Sequence, residues 1–108
     1  MVVRKFPRFP VAMLSTVVQR DKLRYSASLK DLSLKGCRIE SVIRPFTGMQ
    51  IELHVQLPGE AAPLTIGKAA VRWTGSHGIG IEFLTVAPPH QERLNQIVAQ
   101  LSAKVGHA

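Results

Sequence analysis

Ile51-Glu52-Leu53-His54-Val55-Gln56-Leu57 places four aliphatic side chains on one face of an extended chain and Glu52, His54 and Gln56 on the other. Alternation with a period of two marks a half-buried β-strand, because successive side chains point to opposite faces of a sheet. Pro58 and Gly59 close the stretch, and Pro45-Phe46-Thr47-Gly48 punctuate the chain before it. Working outward, the same pattern recurs. Val11, Met13, Ser15 and Val17 alternate with Ala12, Leu14, Thr16 and Val18, and the polar run Gln19 to Lys22 ends that strand as a turn. Leu23, Tyr25, Ala27 and Leu29 share one face of a second strand, and Cys37, Ile39 and Ser41 resume the pattern after a break. The break, Asp31 to Gly36, is predicted to be a strand-to-strand turn. Leu64 to Trp73 and Gly78 to Leu84 form a further pair, joined by Thr74-Gly75-Ser76-His77.

About six antiparallel strands on these spacings predict a mainly β chain closed into a barrel. After Pro88 and Pro89, which suit a helix start, Leu94, Ile97, Val98, Leu101 and Val105 recur at helical spacing. A C-terminal amphipathic helix over 88–104 is predicted to pack on the barrel or a partner. The expected organisation is therefore one domain over 1–108, with an arm at 1–10, a barrel at 11–86 and the closing helix.

A chain of 108 residues with 45% hydrophobic content has material for one core without staples. It leaves no room for a separate catalytic or output domain, so output is expected through a partner. Cys37 is the one cysteine, which excludes an internal disulfide and suits a reducing cytoplasm; its apolar neighbours predict a buried, inert thiol. Arg4, Lys5 and Arg8 interrupt the N-terminal apolar residues, so neither a signal-peptide core nor a membrane-inserting span is expected. Fourteen Lys and Arg against seven Asp and Glu give a formal charge of +7, a field that attracts anions. The same charge is compatible with a merely solvated basic surface.

Two short segments stand apart from the strand pattern. Arg4-Lys5-Phe6-Pro7-Arg8 reads RxxxR, and Asp31-Leu32-Ser33-Leu34-Lys35-Gly36 reads DxSxxG. Pro7 disfavours a helix through the two arginines, which places them on an extended arm. Guanidinium forks grip phosphate oxygens or the O6/N7 edge of guanine in bidentate fashion, or stack on its face. A carboxylate such as Asp31 accepts from the N1 and N2 donors of guanine, a pattern adenine does not offer. Singly, each residue also has a structural use: Asp31 and Ser33 as side-chain caps of a tight turn, Gly36 as turn geometry, Arg4 and Arg8 as a solvated terminus.

In this order, about one strand pair apart, the two segments resemble the binding motifs of the PilZ family. The resemblance runs from Arg4 to about Leu101 and takes in Ala70-Val71-Arg72-Trp73, Gly80-Ile81-Glu82-Phe83 and the closing helix. It implies a six-stranded antiparallel split β-barrel that binds cyclic di-GMP as ligand, with no cofactor. Arg4 and Arg8 are then the phosphate and guanine clamp, Asp31 the base selector, and Ser33 a small hydroxyl for phosphate or base. Gly36 would give the turn a positive φ or let the ligand approach the backbone closely. The arm is expected to be mobile without ligand, since two like-charged guanidinia have nothing to order them, and binding becomes a disorder-to-order switch. A downstream protein controlling motility, biofilm or virulence would read the result.

Trp73 at a strand end is read as core or rim packing, and Lys35 and Arg38 as flanking charge outside the site. Gly78-Ile79-Gly80 lacks the rest of a dinucleotide-binding fingerprint and is read as strand where a close neighbour needs room. Four scattered His residues and one Cys lack metal-ligand spacing, and no nucleophile-base pair is legible, so neither a metal nor an enzymatic role is expected. Aromatic content of 6% argues against a single-stranded nucleic-acid platform. The alternative that the sequence leaves standing is a PilZ-like interaction module that does not bind nucleotide.

Overall fold

The computed structural model describes residues 6–105. Six strands run β1 (Phe9–Gln19), β2 (Arg24–Leu32), β3 (Gly36–Glu40), β4 (Gln50–Val55), β5 (Leu64–Gly75) and β6 (Gly78–Thr85), followed by α1 (Pro88–Val105). They close into a barrel in the order β1-β2-β3-β6-β5-β4, with β4 returning to β1 and every pairing antiparallel. Closure removes the exposed edges that an open sheet of this size would carry. The barrel and closing helix expected from the sequence are both present.

Alternation decides the core. Val17, Leu29, Ile39, Leu53, Ile66, Val71 and Ile81, from all six strands, are fully or almost fully buried inside the barrel. The polar groups that enter with them are matched: Ser15 Oγ donates to the Ala27 carbonyl at 2.8 Å, and Gln19 Nε2 donates to the Tyr25 hydroxyl at 2.8 Å. Helix α1 lies against β5 and β1 and buries Leu94 and Val98. His90 Nδ1 accepts from the Thr65 amide at 3.1 Å, and Arg93 donates to the Pro63 carbonyl at 2.9 Å, which ties the helix start to the chain entering β5.

Two boundaries differ from the sequence reading. Phe9 and Pro10, assigned to the arm, belong to β1, where they pair with Leu32 and Asp31. Asp31 and Leu32, assigned to the turn, belong to β2. The first goes with an extra residue on β1 between Pro10 and Met13, and the second with irregular pairing at Lys30. Leu29 faces Ile39 and Asp31 faces Arg38, so β2 carries one residue more than β3 between these pairs. Such a bulge shifts the inward set of β2 from Tyr25, Ala27 and Leu29 to Leu32 and turns Asp31 outward. Read as alternation alone, a change of phase looks like the end of a strand.

Candidate functional site

Asp31 lies directly between Pro10 of β1 and Arg38 of β3. Its two oxygens meet two guanidinia: Arg8 Nη1 donates to Oδ1 at 3.0 Å, and Arg38 Nε lies 3.6 Å from Oδ2. The groups are half-buried, with side-chain exposures of 29% for each arginine and 20% for Asp31. Arg38 Nη1 continues outward to Glu40 at 3.2 Å and to the His77 carbonyl at 2.7 Å. Arg8 is thus ordered by a carboxylate, contrary to the expectation that nothing would hold the arm's guanidinia. Arg4 and the expected mobility of the arm lie outside the described residues.

Ser33, Leu34 and Lys35 make the true turn between β2 and β3. Ser33 is buried, and its hydroxyl accepts from the amides of Lys35 at 3.2 Å and Gly36 at 3.1 Å and donates to the Gly36 carbonyl at 3.2 Å. It caps the turn. Gly36 faces Glu82 of β6, and a Cβ at position 36 would collide with the Ile81 carbonyl oxygen. The requirement for glycine is therefore close approach of two strands; Gly36 is not among the positive-φ residues. The Lys35 carbonyl accepts from the Phe83 amide at 2.8 Å, fastening the turn to β6. Lys35 Nζ lies 5.7 Å from the centroid of the Phe6 ring, a cation–π distance that links the N-terminal segment to the turn.

These pieces border an open groove of about 720 Å³ on the outer face of the barrel. Arg8, Ser33, Lys35 and Gly36 form one side, and Arg72, Trp73 and Gly80 of β5 and β6 the other. Trp73 is 41% exposed, which decides between core and rim in favour of the rim. The physical cause is a further irregularity: Val71 faces Ile81 but Trp73 faces Gly80, so Arg72 is an extra residue on β5. Trp73, next in phase to point inward after Val71, is turned out instead. Its indole lies across Gly80, where a Cβ would overlap the ring, and the close neighbour expected at the Gly78-Ile79-Gly80 stretch is this one. Arg72 Nε donates to Glu82 Oε1 across the strand pair.

Among the sequence-predicted residues, Arg8, Ser33 and Gly36 line the groove, and Asp31 stands behind it as the partner of Arg8. Sequence reasoning set aside Arg38 and Trp73. The cross-strand pairing with Asp31 and the outward turn at β5 are properties of register, which no local pattern displays. The one signal in the sequence was Gly80, whose missing side chain makes room for a ring. The volume lies within the range of small-molecule sites, and the lining combines cations, a flat aromatic face and backbone held open by glycine.

The PilZ domain family matches the chain over residues 3–100. A comparison with curated proteins finds no significant match. Among solved structures, the fold is similar to the Bacillus subtilis inhibitor of motility MotI, with a TM-score of 0.76 at 17% identity over 96% of this chain and 53% of that one. The PilZ domain of Escherichia coli YcgR with c-di-GMP gives 0.71 at 17% identity, over 96% of this chain and 95% of that one. MrkH, a c-di-GMP-dependent transcription regulatory factor, gives 0.74 at 17% identity over 98% and 52%. This chain spans about half the length of MotI and of MrkH and nearly all of the YcgR domain. At these identities the likeness establishes the fold.

Proposed function

The chain belongs to the PilZ domain family, and from that premise we propose that it is a receptor for cyclic di-GMP, acting through a partner protein without a catalytic step. The observation that carries the reading is the Arg8–Asp31 pair at 3.0 Å beside the groove. A guanidinium has five N–H donors, and this pair engages one, so Arg8 has donors left for a phosphate oxygen or a guanine edge. Asp31 presents the acceptors that guanine N1 and N2 require. On binding, the pair opens: Arg8 moves onto the ligand and Asp31 onto a base, with Arg4 as the second arginine of the clamp. Ser33 contributes through the turn it caps, and Gly36 through the backbone approach it allows. The exposed face of Trp73 adds a surface on which a purine ring can stack.

The signal is local. Charge neutralisation and rearrangement of the segment that carries Arg4 and Arg8, ahead of β1, alter one side of the barrel, and a partner reads the altered surface in the cytoplasm, in control of motility, biofilm or virulence. MotI is an inhibitor of motility and MrkH a transcription factor, so either kind of output is represented among proteins of this fold.

A second reading has its own observation. Both oxygens of Asp31 are already met by guanidinia, so the site is internally satisfied without ligand, as a nucleotide-independent interaction module would be. Isothermal titration calorimetry separates the two. Saturable heat is expected with cyclic di-GMP and none with GTP or cyclic di-AMP, and Arg8→Ala is expected to weaken binding by about 1.5–3 kcal/mol, the scale of hydrogen bonds to charged groups. Equal affinity in the variant contradicts the clamp, and absence of binding by wild type favours the interaction module.

A further inference from the structure

Opposite the end where β2 passes into the Ser33 turn, the barrel carries the β1–β2 turn, the β3–β4 loop and the tip of the β5–β6 hairpin. Four apolar side chains are exposed there: Leu23 at 43%, Val42 at 101%, Ile43 at 40% and Phe46 at 68%. The barrel interior is filled without them. The β3–β4 loop is also well anchored. The Gly48 amide donates to the Val71 carbonyl at 2.7 Å, the Val71 amide to the Met49 carbonyl at 2.9 Å, and Arg44 Nη1 to the Gly75 carbonyl at 2.8 Å. Pro45 is buried between the exposed Val42 and Phe46. An anchored loop that buries its proline and presents its larger apolar groups to water holds them ready for contact rather than for the core.

The surroundings are cationic. Arg20, Lys22, Arg24 and Arg44 are exposed, and none of the four forms an ion pair among the described residues. Of the nearby carboxylates, Glu40 pairs with Arg38 at 3.2 Å and Glu52 with His54, while Asp21, whose Oδ1 accepts from the Leu23 amide at 3.2 Å, keeps its charge beside Arg20 and leaves the patch net cationic. Arg20 and Phe46 border the same shallow hollow of about 440 Å³, so charge and apolar surface belong to one patch.

We propose that this end of the barrel docks peripherally onto an anionic lipid surface, with Val42 and Phe46 entering the boundary between headgroups and acyl chains and the four cations meeting lipid phosphates. Apolar loop residues on the same end as Lys and Arg side chains that make no ion pair satisfy both requirements of such a surface, buried apolar area and charge attraction. Val42 stands wholly clear of the protein, the placement that lets a side chain enter a fluid layer. No helix among the described residues is long and apolar enough to cross a membrane, so the contact is with the surface.

Cosedimentation without nucleotide tests this independently of the receptor reading. The probes are vesicles of equimolar phosphatidylglycerol and phosphatidylcholine, against phosphatidylcholine alone, at physiological ionic strength. Wild type is expected to partition onto the anionic vesicles only. The double variant Val42→Ser, Phe46→Ser is expected to lose about tenfold in partition with its unfolding midpoint unchanged. Arg20→Glu is expected to lose roughly fivefold or more, while Lys104→Glu, the same charge change on α1, leaves partition close to wild type. Three results overturn the proposal: no partition by wild type, which leaves a protein as the partner of this patch; equal losses in Arg20→Glu and Lys104→Glu; or full partition by the double variant. The last two reduce the contact to overall charge.

Discussion

Asp31 is the residue on which the proposed receptor reading turns. Paired with Arg8 and Arg38 it holds both guanidinia in place, and on that reading ligand releases it to offer acceptors to a base. Its neighbours are less forgiving for steric reasons. Gly36→Ala forces a Cβ into the Ile81 carbonyl, and because the obstacle is backbone, the strands must part. A loss of about 1–3 kcal/mol is expected, the range for overpacked sites, measurable as a lower urea midpoint; an unchanged midpoint contradicts the close-approach account. Cys37 is fully buried and its thiol is pushed up from the usual range by desolvation, with Asp31 adding to the effect and Arg8 opposing it. The unfolded chain releases that proton above roughly pH 8.5, whereas the folded chain keeps it. The unfolded state then binds fewer protons, so stability is whole below that pH and declines above it. Urea midpoints at pH 7.5 and 9.5 are expected to fall further in wild type than in Cys37→Ala. Burial raises Tyr25 as well, which extends the decline to higher pH.

At the scale of strands, the site rests on two of the barrel's register irregularities, at Lys30 and at Arg72. The first turns Asp31 out toward Arg8 and the second turns Trp73 out over Gly80. Gly80→Ala is expected to lift the indole from β6, and since Trp73 is the one tryptophan, the emission maximum reports the change without ambiguity. A spectrum identical to wild type contradicts the stacking of the ring on the glycine. The same irregularities divide what the sequence shows from what it conceals. The strand from Ile51 and the helix face of Leu94 and Val98 are legible because burial repeats with a fixed period. Asp31 was legible as a motif residue and misplaced as a turn residue, because an extra residue in a ladder breaks the period just as a turn does. For Trp73 the sequence left core and rim open, and the extra residue on β5 decides for the rim. Arg38 as a partner of Asp31 depends on which residues face each other across strands, and that is fixed by the closed barrel as a whole.

For the whole molecule, the barrel separates two surfaces. One side carries the groove with Arg8, Ser33, Gly36 and Trp73, and the far end carries the exposed loop with Val42 and Phe46. Arg38 spans the interval between them, from Asp31 to the His77 carbonyl at the hairpin tip. On the proposed receptor reading, ligand that opens the Arg8–Asp31 pair would also change what Arg38 faces, a route from the groove to the far loops. The most direct test of the central claim uses the emission of Trp73, the sole tryptophan, titrated with cyclic di-GMP in wild type and in Arg8→Ala, with cyclic di-AMP as control. A saturable change with cyclic di-GMP in wild type, much weakened in the variant and absent with the control, is the expected result. Calorimetric binding of cyclic di-GMP that leaves Trp73 emission unchanged, or no binding at all, contradicts the claim that this groove is the receptor site.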